Sequence, residues 1–165
     1  MAGPLTVRRA GPADVAAIAA IYNDAVLKTT ATFDTEPRPV EHQRRWLESH
    51  GPRHAVLVAE ETESVVGWAS LSQWSDRCAY ADTAEISIYV AETSRGRGVG
   101  KTLMAEVLEA GRAAGLRTVL ARIADENAPS VRLHEAFGFA RCGVMRQVGR
   151  KFGRLLDVHL FQKLY

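Results

Sequence analysis

Apolar and polar residues alternate along Ala84-Glu85-Ile86-Ser87-Ile88-Tyr89-Val90, the period-two pattern of a half-buried strand. The period then changes. Val99, Leu103, Met104, Val107, Leu108 and Gly111 recur at helical spacing, so an amphipathic helix follows and ends near Ala114-Gly115. After it, Thr118-Val119-Leu120-Ala121-Arg122-Ile123 reads as a buried strand, which the crossover connection sets parallel to the strand of Glu85. Between the first strand and the helix lies the glycine-rich turn Arg95-Gly96-Arg97-Gly98-Val99-Gly100-Lys101-Thr102.

The same patterning organises the remainder. Residues 5–9 predict a first strand, and Gly11-Pro12 a turn into a helix over 12–27 that carries Val15, Ile18, Ala19, Tyr22 and Val26 on one face. Residues 28–39 have no helical period and contain two prolines, and therefore predict a loop. A second helix is expected over 40–50, with Trp46 and Leu47 as apolar anchors and Gly51-Pro52 as its stop. Residues 54–59, 64–73 and 80–90 predict an antiparallel meander. Asn127-Ala128-Pro129-Ser130 opens a short helix through Phe137, and strands near 139–144 and 154–162 complete the series.

Composition narrows the function classes. A chain of 165 residues that is 47% hydrophobic is expected to form one domain over 1–165 with a substantial core. Its 21 Lys and Arg nearly balance 19 acidic residues, and no basic run is interleaved with aromatics, so neither nucleic acid nor a membrane surface is indicated. Small-molecule chemistry is favoured. The two cysteines, Cys78 and Cys142, form no CxxC pair and there is no secretory start, which fits a reducing cytoplasm without disulfides. No apolar run approaches the ~18 residues of a membrane span. His42, His50, His54 and His159 show no metal spacing, and no metal is expected.

The glycine-rich turn points to an anion. Gly96, Gly98 and Gly100 let the backbone approach a ligand closely, while the free N–H groups and positive dipole end of the following helix face that ligand. A phosphate or pyrophosphate fits best. A nucleotide P-loop requires a glycine where Arg95 stands, and the dinucleotide fingerprint requires a third glycine where Lys101 or Leu103 stands, so both fail.

Arg95-x-x-Gly98-x-Gly100 does resemble the acyl-coenzyme A pyrophosphate loop of the GCN5-related N-acetyltransferases. Asn127-x-x-Ser130-x-x-Leu133-His134-x-x-Phe137-Gly138-Phe139 is similar to the second signature of that superfamily, and the element order agrees along nearly the whole chain. Four scattered blocks resemble the phosphinothricin and methionine sulfone or sulfoximine acetyltransferases: residues 30–37, Trp74-x-x-Arg77-x-x-Tyr80, residues 83–90 and residues 147–154. Ile86 stands where many relatives carry a histidine, a departure that bears on the preferred substrate. The resemblance implies an α/β (α+β) fold with a central mixed, mostly antiparallel sheet of about seven strands, a V-shaped parallel splay and about four flanking helices. It also implies acetyl-coenzyme A as cofactor, a small amino acid or analogue as acceptor, and a homodimer.

The chemistry assigns roles to particular residues. An amine attacks a thioester only as the free base, so a proton acceptor is required, and Glu85 is the candidate, acting directly or through one water. An ordinary surface ion pair is the competing reading of Glu85. Backbone N–H groups near Tyr89 and Val90 can stabilise charge on the thioester oxygen, and Ile88 beside them belongs to the coenzyme site. With Arg95, Gly96, Arg97, Gly98, Val99, Gly100, Lys101 and Thr102 they form the expected coenzyme site, joined by Asn127 and Ser130. Asn127 either presents its amide to the pantetheine arm or caps its helix. His134 occupies the position where many relatives carry a tyrosine that protonates the departing sulfur; it either takes that role or packs behind the pantetheine and bonds a backbone carbonyl. Arg77 is the expected fork for a substrate carboxylate, with Phe33 and Tyr80 as pocket walls and Lys151 and Arg154 as further substrate contacts. Three alternatives stay open: an acetyltransferase of protein N-termini or lysines, a non-catalytic acyl-coenzyme A sensor, and a nucleotide kinase disfavoured by the failed P-loop match.

Overall fold

The computed structural model describes residues 3–124 and 127–165. Its elements run β1 (Thr6–Arg9), α1 (Val15–Lys28), α2 (Val40–Glu48), β2 (Val56–Glu61), β3 (Ser64–Gln73), β4 (Thr83–Val90), α3 (Val99–Ala113), β5 (Thr118–Ala124), α4 (Ala128–Ala136), β6 (Ala140–Lys151) and β7 (Arg154–Leu164). The strands form one seven-stranded sheet in the order β1-β2-β3-β4-β5-β7-β6. Its pairs are antiparallel except β4 with β5. The expected mixed, mostly antiparallel sheet is therefore present.

Alternation along the central strands divides the chain into two cores. Ala69, Leu71, Ala84 and Ile86 face one side and pack with Val99, Leu103, Met104 and Val107 of α3. On the other side Trp68 and Val58 pack with Ile18, Tyr22 and Val26 of α1. Burying a Leu or Val side chain contributes about 1.5–3 kcal/mol, so both faces hold the sheet in place.

Where the structure departs from the sequence expectation, local packing supplies the reason. The strand expected over 80–90 starts only at Thr83, because Cys78–Tyr80 form a 3-10 turn. Helix α2 ends at Glu48 rather than at residue 50, and Leu47 is not its buried anchor. Gln43 is, at 2% exposure. Gln43, Trp46 and His50 follow helical spacing and face β3, with Trp46 edge-on to Trp68 at 5.3 Å and His50 bonded to Ser72 at 2.9 Å. Strand β6 runs to Lys151, well past the expected 144. Its register shifts between Met145 and Gly149, where Gln147 has φ 51° and its N–H donates to Asp157. The β6–β7 turn then places Phe152 and Gly153 at φ 50° and 73°, a left-handed pair that matches the twist of a two-residue hairpin.

Candidate active site

Pairing between β4 and β5 is confined to Thr83 with Thr118, Ala84 with Val119 and Glu85 with Leu120. Beyond Glu85 the two strands diverge. The splay opens a cavity of about 820 Å³, lined by Ile86 to Val90 on one lip and by Ala121 to Ala124 on the other. Backbone groups on the β5-facing edge of β4 thus lose their strand partner where an extended ligand arm can enter.

The glycine-rich turn continues from the end of β4. Gly96 and Gly98 have φ 74° and 87°, a region that L side chains rarely adopt, and a Cβ on either would meet nothing within 4 Å. The turn is therefore both permissive and open on its outer side. Gly98 is the N-cap of the 15-residue α3, whose first-turn N–H groups have no carbonyl within the helix. Arg95 lines the cavity and donates from Nε to the Val90 carbonyl at 3.2 Å, tying the turn to the strand end. Arg97 is ion-paired with Glu61, and Thr102 Oγ1 donates to the Gly98 carbonyl at 3.3 Å. Gly96, Arg97, Gly98 and Lys101 are exposed, whereas Val99 is buried among core side chains and offers a ligand only its backbone. These features fit a pyrophosphate-bearing coenzyme with an extended arm: an open left-handed turn, a helix start, and an unpaired strand edge beside it.

On the face of the sheet away from α3, Trp68, Ser70 and Ser72 lie directly opposite Tyr89, Ser87 and Glu85. Glu85 lines the cavity, and its carboxylate is held by Arg122 of β5, Nε to Oε1 at 2.6 Å and Nη2 to Oε2 at 2.7 Å. That contact raises the Arg122 guanidinium above its ordinary value. Arg122 also lies over the Trp74 ring, 5.8 Å from its centroid. An ionised carboxylate has about four acceptor sites, so the fork leaves further sites for an incoming proton donor.

Asn127 caps α4, its side chain accepting from the Ser130 N–H at 3.3 Å, and both residues line the cavity. The cap reading is thereby realised, without removing Asn127 from the ligand space. His134 is 7% exposed, reaches the Ser130 carbonyl through Nδ1 at 2.7 Å, and meets Phe139 edge-on. A carbonyl only accepts, so the bond assigns the proton of the neutral ring to Nδ1. Burial holds this imidazole below its usual value, against the opposing pull of the carbonyl.

The loop over 28–39 is fastened across the cavity. Tyr22 Oη bonds Thr32 at 2.8 Å and donates to Asp34 at 2.6 Å, and burial together with Asp34 pushes this hydroxyl up to about 12. Asn23 and the Arg38 backbone exchange two hydrogen bonds, and Arg38 pairs with Asp34. Lys151, buried at the end of β6, donates to the Thr32 carbonyl at 2.8 Å, and burial lowers its ammonium below the usual value. Phe33 lines the cavity and crosses Gly149, where any Cβ would collide with its ring.

Several expected substrate contacts lie elsewhere. Arg77 and Tyr80 are exposed at the Cys78–Tyr80 turn and do not line the cavity, nor does the exposed Arg154. The cavity's own cations are Arg38, Arg95 and Arg122. Sequence reasoning missed Arg122, Arg38, Asp34, Gln43 and the serines of β3. Alternation along residues 64–73 is the signal that would have put Ser70 and Ser72 on the face of Trp68, and nothing in the sequence joined Arg122 to Glu85. Among the described residues, no group of three or more His, Cys, Asp or Glu could hold a metal ion, and no helix is long and apolar enough to cross a membrane.

A model of the acetyltransferase (GNAT) family matches residues 18–139. The chain is 39% identical over 159 residues to the L-methionine sulfoximine/L-methionine sulfone acetyltransferase of Pseudomonas aeruginosa, covering 95% of this chain and 92% of that one. Among solved structures, a phosphinothricin acetyltransferase from Sinorhizobium meliloti in complex with acetyl-CoA superposes with TM-score 0.92 at 35% identity, covering 97% of this chain and 88% of that one. Ribosomal-protein-alanine N-acetyltransferase from Brucella melitensis superposes with TM-score 0.94 at 40% identity, covering 97% and 99%.

Proposed function

The chain belongs to the acetyltransferase (GNAT) family, and we propose that it acetylates the α-amino group of a small amino acid or analogue, using acetyl-coenzyme A. The observation that carries this reading is the loop over 28–39, fastened by Tyr22, Asn23 and Lys151 across the cavity that holds Glu85. A protein N-terminus or lysine needs an open groove; a cavity that this loop narrows with Thr29, Ala31, Thr32, Phe33, Asp34 and Arg38 favours a small acceptor. Kinship with acetyltransferases of methionine sulfoximine and phosphinothricin supports the same class.

The coenzyme supplies an acetyl thioester, an activated acyl group ready for transfer to nitrogen. In this proposal Gly96, Gly98, Gly100 and the α3 N-terminus hold its pyrophosphate, with Arg95, Arg97, Lys101 and Thr102 around them. The free edge of β4 from Ile88 to Val90, Asn127 and Ser130 receive the pantetheine arm, and the thioester oxygen is held by the N–H groups on that edge, those of Ile88 and Val90, since the Tyr89 backbone faces β3. Glu85 takes the proton of the acceptor's ammonium, directly or through one water, while Arg122 fixes the orientation of the carboxylate. His134 packs behind the arm, because its neutral ring spends the Nδ1 proton on Ser130 and burial opposes the imidazolium needed to protonate sulfur. Arg77, named by resemblance, and Arg122, named by its place in the cavity, are the two guanidinium candidates for the substrate carboxylate. A homodimer is part of the proposal, supported by Val148, Phe152 and Leu155, apolar and exposed on the β6–β7 ribbon that also carries Lys151 and Arg154. A cytoplasmic location fits the two exposed free thiols, Cys78 and Cys142.

Free-thiol release from acetyl-coenzyme A over amino acids, methionine sulfone, methionine sulfoximine, phosphinothricin and short peptides tests the reading. Turnover with amino acids but not peptides is expected. Turnover with peptides alone would establish the protein-acetylating alternative, and ligand binding without turnover would establish a sensor. The ratio of kcat/KM for an amino acid and its decarboxylated amine, measured in Arg77→Ala and Arg122→Met, identifies the carboxylate fork.

A further inference from the structure

The wall of the cavity under α2 carries polar groups that the fold leaves without partners. Gln43 Oε1, Trp68 Nε1 and Ser70 Oγ are all buried and have no hydrogen-bond partner among the described residues. The three residues are 2%, 2% and 1% exposed, and all line the cavity. Trp68 and Ser70 stand two apart on β3 and so share a face, while Gln43 stands one helical turn before Trp46 of α2, whose ring meets Trp68 edge-on. Leaving one such group unpaired costs about 1–3 kcal/mol; three in the lining of one ligand cavity call for a partner that the described residues do not supply.

Their chemistry limits that partner. An amide both donates and accepts, a hydroxyl does the same, and an indole N–H donates. None is charged. Among the ionic groups that line the cavity, Arg38 is paired with Asp34, and Glu85, opposite Ser72 on the same face, is paired with Arg122. An anion placed against this wall would lose its hydration without gaining an unpaired counter-charge. A neutral group with strong acceptors loses much less. The Gln43 amide turns about a broad terminal torsion and the Ser70 hydroxyl rotates freely, so both can reorient towards an arriving group.

We propose that Gln43, with Ser70 and Trp68, forms a specificity subsite that reads the far end of the acceptor's side chain and selects an uncharged hydrogen-bonding group, of sulfone, sulfoximine or carboxamide type, over an anionic phosphinate or carboxylate. This rests on the amino-acid acetyltransferase reading above, and it separates two substrate kinds between which the relatives divide.

The test measures thiol release with L-methionine sulfone, L-methionine and phosphinothricin, for the parent protein, Gln43→Leu and Ser70→Ala. Methionine has the same chain without the oxygens. In the parent, kcat/KM for the sulfone should exceed that for methionine and for phosphinothricin by about tenfold or more. Gln43→Leu should remove most of the sulfone-to-methionine preference while methionine itself and coenzyme affinity stay within about twofold. Its Tm should not fall, since Oε1 gives up no bond in the free protein. Ser70→Ala, a smaller change, should shift the ratio in the same direction. An unchanged ratio in both folded variants, or a parent that prefers phosphinothricin, overturns the subsite and leaves the acetyltransferase reading standing. A parent that neither acetylates these amino acids nor binds methionine sulfone by calorimetry in the presence of coenzyme A, yet acetylates peptides, overturns both.

Discussion

Glu85 and Arg122, 37 residues apart in sequence, meet as a bidentate pair with both contacts at 2.7 Å or less. The pair spans the point where β4 and β5 cease to bond, so the geometry of the splay and the orientation of the carboxylate are set together. An arginine fork fixes a carboxylate in plane as well as in position, which a lone lysine does not.

Glu85→Gln keeps the size of the side chain and removes its capacity to take a proton. Turnover should fall by about two to four orders of magnitude, with coenzyme affinity little changed. The acidic limb of the pH–rate profile should disappear with it. A variant that keeps near-normal turnover and that limb would reduce Glu85 to the structural partner of Arg122.

Arg122→Met removes the fork but keeps an apolar stem beside Trp74. If its role is positioning, kcat should drop by about tenfold or more while coenzyme affinity holds, and Arg122→Lys should recover only part of the loss. Equal losses in the lysine and methionine variants, accompanied by a lower Tm, would instead mark Arg122 as a fold-stabilising residue.

Gly100→Asp places a carboxylate in the first turn of α3, where the added Cβ would have Leu133 at 3.6 Å and Val90 at 3.8 Å, both ordinary contacts. The helix should tolerate it, since an acid near an N-terminus is favourable. Coenzyme affinity should fall about 100-fold from repulsion of the pyrophosphate. Undiminished binding by calorimetry in the folded variant would move the pyrophosphate elsewhere. Gly98→Asp is the poorer probe, because φ 87° strains any side chain there.

Burial holds the His134 and His50 imidazoles below their ordinary value. In the unfolded chain both take up protons near pH ~6.5, so the folded state is favoured fully above that pH and loses stability as pH falls through the depressed folded values. Tm should therefore decline between about pH 7 and pH 5, and His134→Gln should make the decline shallower while turnover stays within about tenfold of the parent. An unchanged slope would remove His134 from the linkage, and a loss of turnover by several orders would restore it as the proton donor to sulfur.

Features that depend on local spacing were legible along the chain. Alternation at Ala84 to Val90, helical spacing from Val99, and the glycines between them fix a strand, a turn and a helix wherever the rest of the chain goes, because backbone conformation and side-chain period are short-range properties. The left-handed glycine turn ahead of α3 was legible for the same reason, since it is one contiguous segment. Asn127 was legible as a cap from its place ahead of α4. The tertiary structure alone decided which side chains meet across strands and helices. Arg122 reaches Glu85 only because β5 returns parallel to β4 and then diverges from it. Gln43, a polar residue on a short polar helix, gave no sign of burial until α2 packed against α1 with its Trp46 ring on Trp68. Arg77 illustrates the converse, since its motif is contiguous and plain, yet the 3-10 turn that carries it holds it outside the cavity. Contacts between distant residues are fixed by packing and register, which no local period encodes.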